Sequence, residues 1–294
     1  MLSKELRKKI RQIQIRTSQM VSSSFAGQYE SVFKGRGMQF DQVREYVVGD
    51  DIRSIDWNVT ARTGKAHIKQ FIEEREMTVM FLVDLSSSGD FGTRGRFKNE
   101  LAAEFCAVLA FAAIDNNDKA GLMIFTDEIE LFIPPAKGSR HVLRLIRELL
   151  CFESRNRGTN VSMAIDYIGR VMKKTMTVFV ISDFLDVNID AVKSSLSALN
   201  SHHDTIAVSV KDPAEQCFPD SGLVELTDAE TGGKILVDAS SRAFQRSYCS
   251  NAVIRQQQLE TVFRSTGVDC INIETSRPYI NDLIKFFNMR QRRY

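Results

Sequence analysis

The chain has 294 residues, 43% hydrophobic and 26% charged, enough apolar material for one large domain or two small ones. A formal net charge of +2 argues against nucleic-acid binding as the main activity, although basic residues crowd both ends of the chain. No stretch approaches the roughly 20 apolar residues of a membrane-spanning helix, and the N-terminus lacks an apolar signal core. The cysteines at 106, 151, 217, 249 and 270 show no paired metal spacing, so a cytoplasmic protein with reduced, mostly buried thiols is expected.

Two textures divide the chain. Residues 1–76 are expected to form a basic helix and a small β-rich module. Leu2, Leu6, Ile10 and Ile13 recur at helical spacing among lysines and arginines, and no Trp or Phe marks that face for a membrane surface. "SVFKGRGMQFDQVREYVVGDDIRSIDWNVTARTGKAHIKQFIEERE" then reads as brief strands and turns. Residues 77–294 alternate regularly. Strand "TVMFLVD" precedes a helix over 96–116, strand "AGLMIFT", a short strand "IELFIP" and a helix over 139–152. Loop "ESRNRGTN" leads to a helix over 161–174, strand "TVFVISD", a helix over 190–201 and strand "TIAVSV". A hairpin insertion near 221–238, a long helix to about 265, strand "VDCINIE" and a helix over 279–290 complete the chain. Such alternation predicts an α/β fold: a doubly wound, mostly parallel sheet covered by helices on both faces. "IELFIP" follows its predecessor too closely for a helical crossover, so it is expected to be the one antiparallel strand.

In open sheets of this kind, ligands bind beyond the carboxyl ends of the strands, where strand order reverses. "TVMFLVDLSSSGDFG" ends a buried strand with Asp84, Ser86 and Ser88; "VFVISDF" places Asp183 at a second strand end; "NRGTNVS" places Thr159 in a loop before a helix. Two carboxylates and three hydroxyls, without His or Cys, suit Mg²⁺ or Mn²⁺ over Zn²⁺. Neutral hydroxyls leave a bound ion electrophilic, and an open position would accept a carboxylate of another protein.

On these residues the chain resembles von Willebrand factor A-like domains, which are Rossmann-like. Their metal-ion-dependent adhesion site combines an Asp-x-Ser-x-Ser loop with a distant Thr and a distant Asp. The resemblance implies that Ser86 and Ser88 ligate the metal directly and Thr159 does so when ligand is bound. Asp84 and Asp183 would act directly or through water. "GRGMQFDQVREYVVGDDIRSIDWNVTAR", "ELTDAETGGKILVD" and "STGVDCINIETSRPYINDLIKFFNMRQRR" are also similar to the bacterial domain-of-unknown-function 58 family. Its members often accompany MoxR-type AAA+ ATPases, which implies an adaptor or co-chaperone role without catalysis. Many members carry Met where this chain has Gly89.

Other readings compete. A Mg²⁺-dependent phosphoester hydrolase is the main alternative, although Ser86 stands where a second acid or base would be wanted and no histidine spacing points to this rim. The glycines of "SSSGDFGTRGRF" could cradle a phosphate, but their spacing is not a dinucleotide fingerprint. The run "REYVVGDDIRSIDW" is either a structural charge network or a surface for the ATPase. Asp127 could serve a tight turn or reach the rim, and Phe286 and Phe287 are expected in the core.

Overall fold

The computed structural model describes Tyr29, Val32 and residues 39–72, 76–93, 95–154, 158–185, 187–227 and 232–293. The predicted basic helix near the N-terminus lies outside them. The chain divides into Phe33–Met77 and a larger unit containing Met1–Val32 and Thr78–Tyr294. The sequence reading grouped a basic helix and a small β-rich module over 1–76, whereas this division sets Met1–Val32 with the larger unit. Tyr29 donates from its hydroxyl to Asp118 at 3.2 Å and sets its ring edge against Phe287, so it packs with the larger unit.

In the smaller unit, β1 (Gln39–Glu45) pairs antiparallel with β2 (His67–Ile72). Between them lies α1 (Trp57–Thr63), a helix that the sequence reading took for strands and turns. Asp56 caps it by accepting from the Asn58 and Val59 amides, and Gly64 closes it at φ 73°. Both end signals are ordinary for a helix, but seven residues are too few for a periodicity to stand out. The charged run has structural uses. Asp50 grips Arg44 through both oxygens at 2.7 and 2.8 Å, and Asp51 caps the turn Ile52–Ser54. Trp57 remains 68% exposed.

The larger unit is organised by β3 (Thr78–Asp84), β4 (Lys119–Phe125), β5 (Ile129–Ala136), β6 (Thr177–Ser182), β7 (Asp204–Lys211) and β10 (Asp269–Glu274). Their order is β10-β7-β6-β3-β4-β5, every pair parallel except β4 with β5. This is the expected fold class, with the antiparallel strand where the short connection required it. A separate hairpin joins β8 (Leu223–Thr227) to β9 (Lys234–Asp238).

Central strands buried on both faces need continuous apolar runs, and β3, β4 and β6 supply them. Met80, Leu82, Val178 and Val180 meet α4 (Val161–Val171), α5 (Ile189–Asn200) and α7 (Arg242–Thr266) on one face. Successive strand residues point to opposite faces. Phe81 and Phe179 accordingly stack on the other, where Phe105 of α2 (Lys98–Asp115) meets Phe179 edge-on. Helix α3 (Ser139–Cys151) packs beside α2, and α8 (Ile280–Gln291) turns Leu283, Phe286, Phe287 and Arg290 inward at helical spacing. Cys151 and Cys217 are exposed, so the thiols are not mostly buried as expected.

Candidate metal centre

β3 leads on to β4 at one side while its other neighbour, β6, leads on to β7 in the opposite direction. Their carboxyl ends therefore flank the point where strand order reverses, and a crevice opens there. Asp84 closes β3 and is 8% exposed. Its Oδ1 accepts from the Ser86 amide at 3.0 Å, and its Oδ2 accepts from the Ser182 hydroxyl at 2.7 Å. Ser182 in turn accepts from the Phe184 amide, so a residue at the end of β6 orients the carboxylate of β3. Burial raises the Asp84 carboxyl to about 6, and the charge of Asp183 adds to the rise. After Asp84 the chain enters a 3₁₀ turn over Ser87–Asp90, which brings the Ser86 and Ser88 hydroxyl oxygens to 2.9 Å from each other.

Asp183 follows β6. Its Oδ1 accepts from the Leu185 amide at 3.0 Å and its Oδ2 from the Lys98 ammonium at 2.6 Å. Lys98 is the first residue of α2 and is 2% exposed. Its ammonium also reaches Glu215 at 2.5 Å and lies 5.9 Å from the centre of the Phe91 ring. Burial alone would lower the Lys98 pKa, but Asp183 and Glu215 outweigh it and raise the value. Glu215 moves up as well, because burial outweighs the pull of Lys98. Glu215 accepts from both Lys98 and the Asp212 amide, which favours its ionised form, so the pair is charged.

Glu215 belongs to α6 (Pro213–Gln216), whose cap Asp212 forms a reciprocal capping box with it. Asp212 is fully buried and accepts from the Thr93 amide and hydroxyl, the Ala214 amide and the Thr275 hydroxyl. Burial would raise its pKa, but these donors outweigh burial and lower it. Its stabilising contribution is therefore complete above about pH 4 and is lost as pH falls toward the depressed folded value. Asp212→Asn should cost about 1–2 kcal/mol, since an amide nitrogen would face a donor. It should also flatten the acid limb of stability measured by urea melts. Thr93 donates its amide to Asp212 and Gly89 donates its amide to the Ser86 carbonyl, so neither of these two amides is free for a phosphate.

The structure brings Asp84, Ser86, Ser88 and Asp183 to one rim. Asp84, Ser88 and Asp183, with Ser182, Lys98 and Asn99, border a cavity of about 10 Å³, the room of roughly one water-sized body. Thr159 stands one strand away. The Asn160 amide donates to the Thr126 carbonyl past the end of β4, and the space beside Gly158 is bounded by Asp127. Among the described residues Thr159 makes no hydrogen bond to the other four, and no histidine borders the cavity. A Cβ at position 89 would lie 1.9 Å from Asn99 Oδ1, so a larger residue there would require the Asn99 side chain to move.

The groups gathered here are hard oxygen donors, the kind a divalent cation such as Mg²⁺ takes. The two serine hydroxyls share a hydrogen bond at 2.9 Å, near the roughly 3.0 Å between adjacent ligands of an octahedral Mg²⁺ with bonds of about 2.1 Å. Sequence reasoning missed Ser182, Lys98 and Glu215. Lys98 had a signal: a lysine opening a helix opposes the helix dipole unless carboxylates hold it there. Glu215 had another in the D-x-x-E spacing of "DPAE".

Residues 42–258 match the family model described as "Protein of unknown function DUF58". An uncharacterized protein of Mycobacterium tuberculosis, Rv1480, is 28% identical over 285 residues, covering 96% of this chain and 89% of its own. A shorter uncharacterized protein of Mycobacterium avium is 29% identical over 165 residues, covering 54% of this chain and 94% of its own. Among solved structures, BatB of Bacteroides thetaiotaomicron aligns at 14% identity and TM-score 0.45, covering 74% of this chain and all of that one. An aerotolerance-related membrane protein of Bacteroides fragilis aligns at 18% and 0.47, with the same coverage. The SpRpn10 VWA domain aligns at 11% and 0.43, covering 72% of this chain and 95% of its own. No helix among the described residues is long and apolar enough to cross a membrane. With the family model spanning most of its length, the chain belongs to the DUF58 family.

Proposed function

We propose that this protein is a divalent-cation-dependent adaptor that binds an acidic side chain of a partner protein and carries out no catalysis. Ser86 and Ser88 would hold Mg²⁺, or Mn²⁺, through their hydroxyls, with Asp84 and Asp183 supporting it directly or through water. Thr159 would join only in the partner-bound state. When bound, the ion supplies an electrophilic coordination position for a carboxylate oxygen. The observation that supports the reading is the pair of serine hydroxyls, hydrogen-bonded at 2.9 Å, beside a buried, oriented aspartate at the switch of the sheet. Family likeness supports a MoxR-type AAA+ ATPase as partner in a chaperone-like role, and the scattered, unpaired cysteines support a cytoplasmic setting.

The reading is tested by retention of a purified MoxR-type ATPase on the immobilised protein in Mg²⁺ and in EDTA. Retention in Mg²⁺ that is lost in EDTA and in the Ser86→Ala/Ser88→Ala variant is the expected result. Equal retention in EDTA contradicts the metal mechanism. Turnover of generic phosphoesters that requires both Mg²⁺ and Asp183 would instead establish the hydrolase alternative.

A further inference from the structure

The chain places its own cation at the rim where the divalent ion is expected. Lys98 Nζ lies 2.6 Å from Asp183 Oδ2 and 2.5 Å from Glu215 Oε1, and the three side chains are 2%, 5% and 16% exposed. Water and salt screen such contacts less than they screen surface pairs. The other Asp183 oxygen already accepts the Leu185 amide, so Lys98 holds the oxygen that Asp183 would offer a metal. Lys98 also borders the small cavity together with Asp84 and Ser88. Asp84 and Asp183 border that cavity with Lys98, while Glu215 lines the neighbouring one with Asp183, Lys211 and Arg255.

We propose that Lys98 is a tethered competitor of the divalent cation. It occupies Asp183 in the metal-free protein and uses Glu215 as its alternative anchor when Asp183 turns to the metal. The inference rests on the metal reading and deepens it, because it makes Lys98 the residue that sets how weakly the resting site holds the ion. Glu215 is well placed for this role. The reciprocal capping box ties it to Asp212, so the second anchor stays fixed while the first is contested. The long, flexible lysine stem permits a small shift of its ammonium between two carboxylates that it already touches.

The test is Mn²⁺ binding by calorimetry to wild type, Lys98→Met and Lys211→Met. Lys211 controls for general charge removal. It closes β7 and lines a neighbouring cavity with Asp183 and Glu215, but no hydrogen bond joins it to either among the described residues. Lys98→Met should bind Mn²⁺ at least roughly tenfold more tightly than wild type, and Lys211→Met should change affinity less than about threefold. A purely structural ion pair would instead leave Lys98→Met binding no better or worse. Equal gains in both variants would reduce the effect to general electrostatics, and either result overturns the inference while leaving the metal reading intact. If neither wild type nor Lys98→Met binds Mn²⁺ or Mg²⁺, the metal reading itself fails and takes the inference with it. Should Lys98→Met not fold, Lys98→Met/Glu215→Gln removes the pair with net charge unchanged. It should still bind more tightly than wild type, and equal affinity would overturn the proposal.

Discussion

Asp84→Asn should stabilise the metal-free protein near pH 7 by roughly 1–3 kcal/mol, because burial and the charge of Asp183 raise the carboxyl to about 6. The direction follows from burial. Asp84 is 8% exposed, close to the charge of Asp183, and Lys98 is hydrogen-bonded to Asp183 and Glu215. Between about pH 4 and 6 the folded chain keeps a proton that the unfolded chain has lost, so stability falls as pH rises through that window. Above it the cost is constant, and below it the cost is absent. Asparagine removes the charge and keeps the geometry: its oxygen still accepts from the Ser86 amide, and the Ser182 hydroxyl can turn to accept from the new amide. Urea melts in EDTA would show the gain near pH 7 and its disappearance on acidification. With Asp212 acting in the opposite sense below about pH 4, these two groups together give the metal-free protein a stability maximum between the two windows. Added Mg²⁺ should then stabilise wild type but not the variant. A loss of stability in Asp84→Asn near pH 7 would mean that the aspartate charge is already compensated.

Arg290→Met should destabilise the larger unit by about 2–4 kcal/mol. Its guanidinium holds both oxygens of Asp204 at 2.7 and 2.8 Å and Asp269 at 2.7 Å, tying α8 to the ends of β7 and β10. It also lies 5.1 Å from the centre of the Phe286 ring, a contact that methionine preserves in part. Breaking a fully buried pair costs about 3–5 kcal/mol. Asp204 is 40% exposed and Asp269 keeps Arg293, so solvent and the second arginine moderate the loss. Arg293→Ala, 58% exposed in its side chain, should cost less than about 1 kcal/mol. A loss below about 1 kcal/mol in Arg290→Met as well would show the fork to be no stronger than a surface pair.

The fold was legible because its strands are extreme. Val79–Val83 and the run around Val178 are apolar on both faces, which only a strand covered from two sides tolerates, and helices between them leave little choice but parallel pairing. The one short link forced β5 to run the other way. The α1 helix was not legible, since seven residues anchored by Asp56 and Gly64 look the same as turn chemistry. The rim was half legible. Strand ends announce Asp84 and Asp183, and serines two apart announce a common target. Lys98, Ser182 and Glu215 sit in an ordinary helix start, a strand end and a four-residue helix, and only the folded sheet makes them neighbours of Asp183 or Asp84. Thr159 is the reverse case: its place in the loop order suits the metal set, yet its flanking residues lie against the end of β4.

The proposed adaptor role depends on two hydroxyls and an oriented carboxylate holding a hard dication. Calorimetric Mn²⁺ titration of wild type against Ser86→Ala/Ser88→Ala addresses it most directly, because that change removes two ligands and no charge. One ion per chain bound by wild type and lost in the variant is the outcome that the serine geometry requires. Undiminished binding by the variant, or none by wild type, would contradict it.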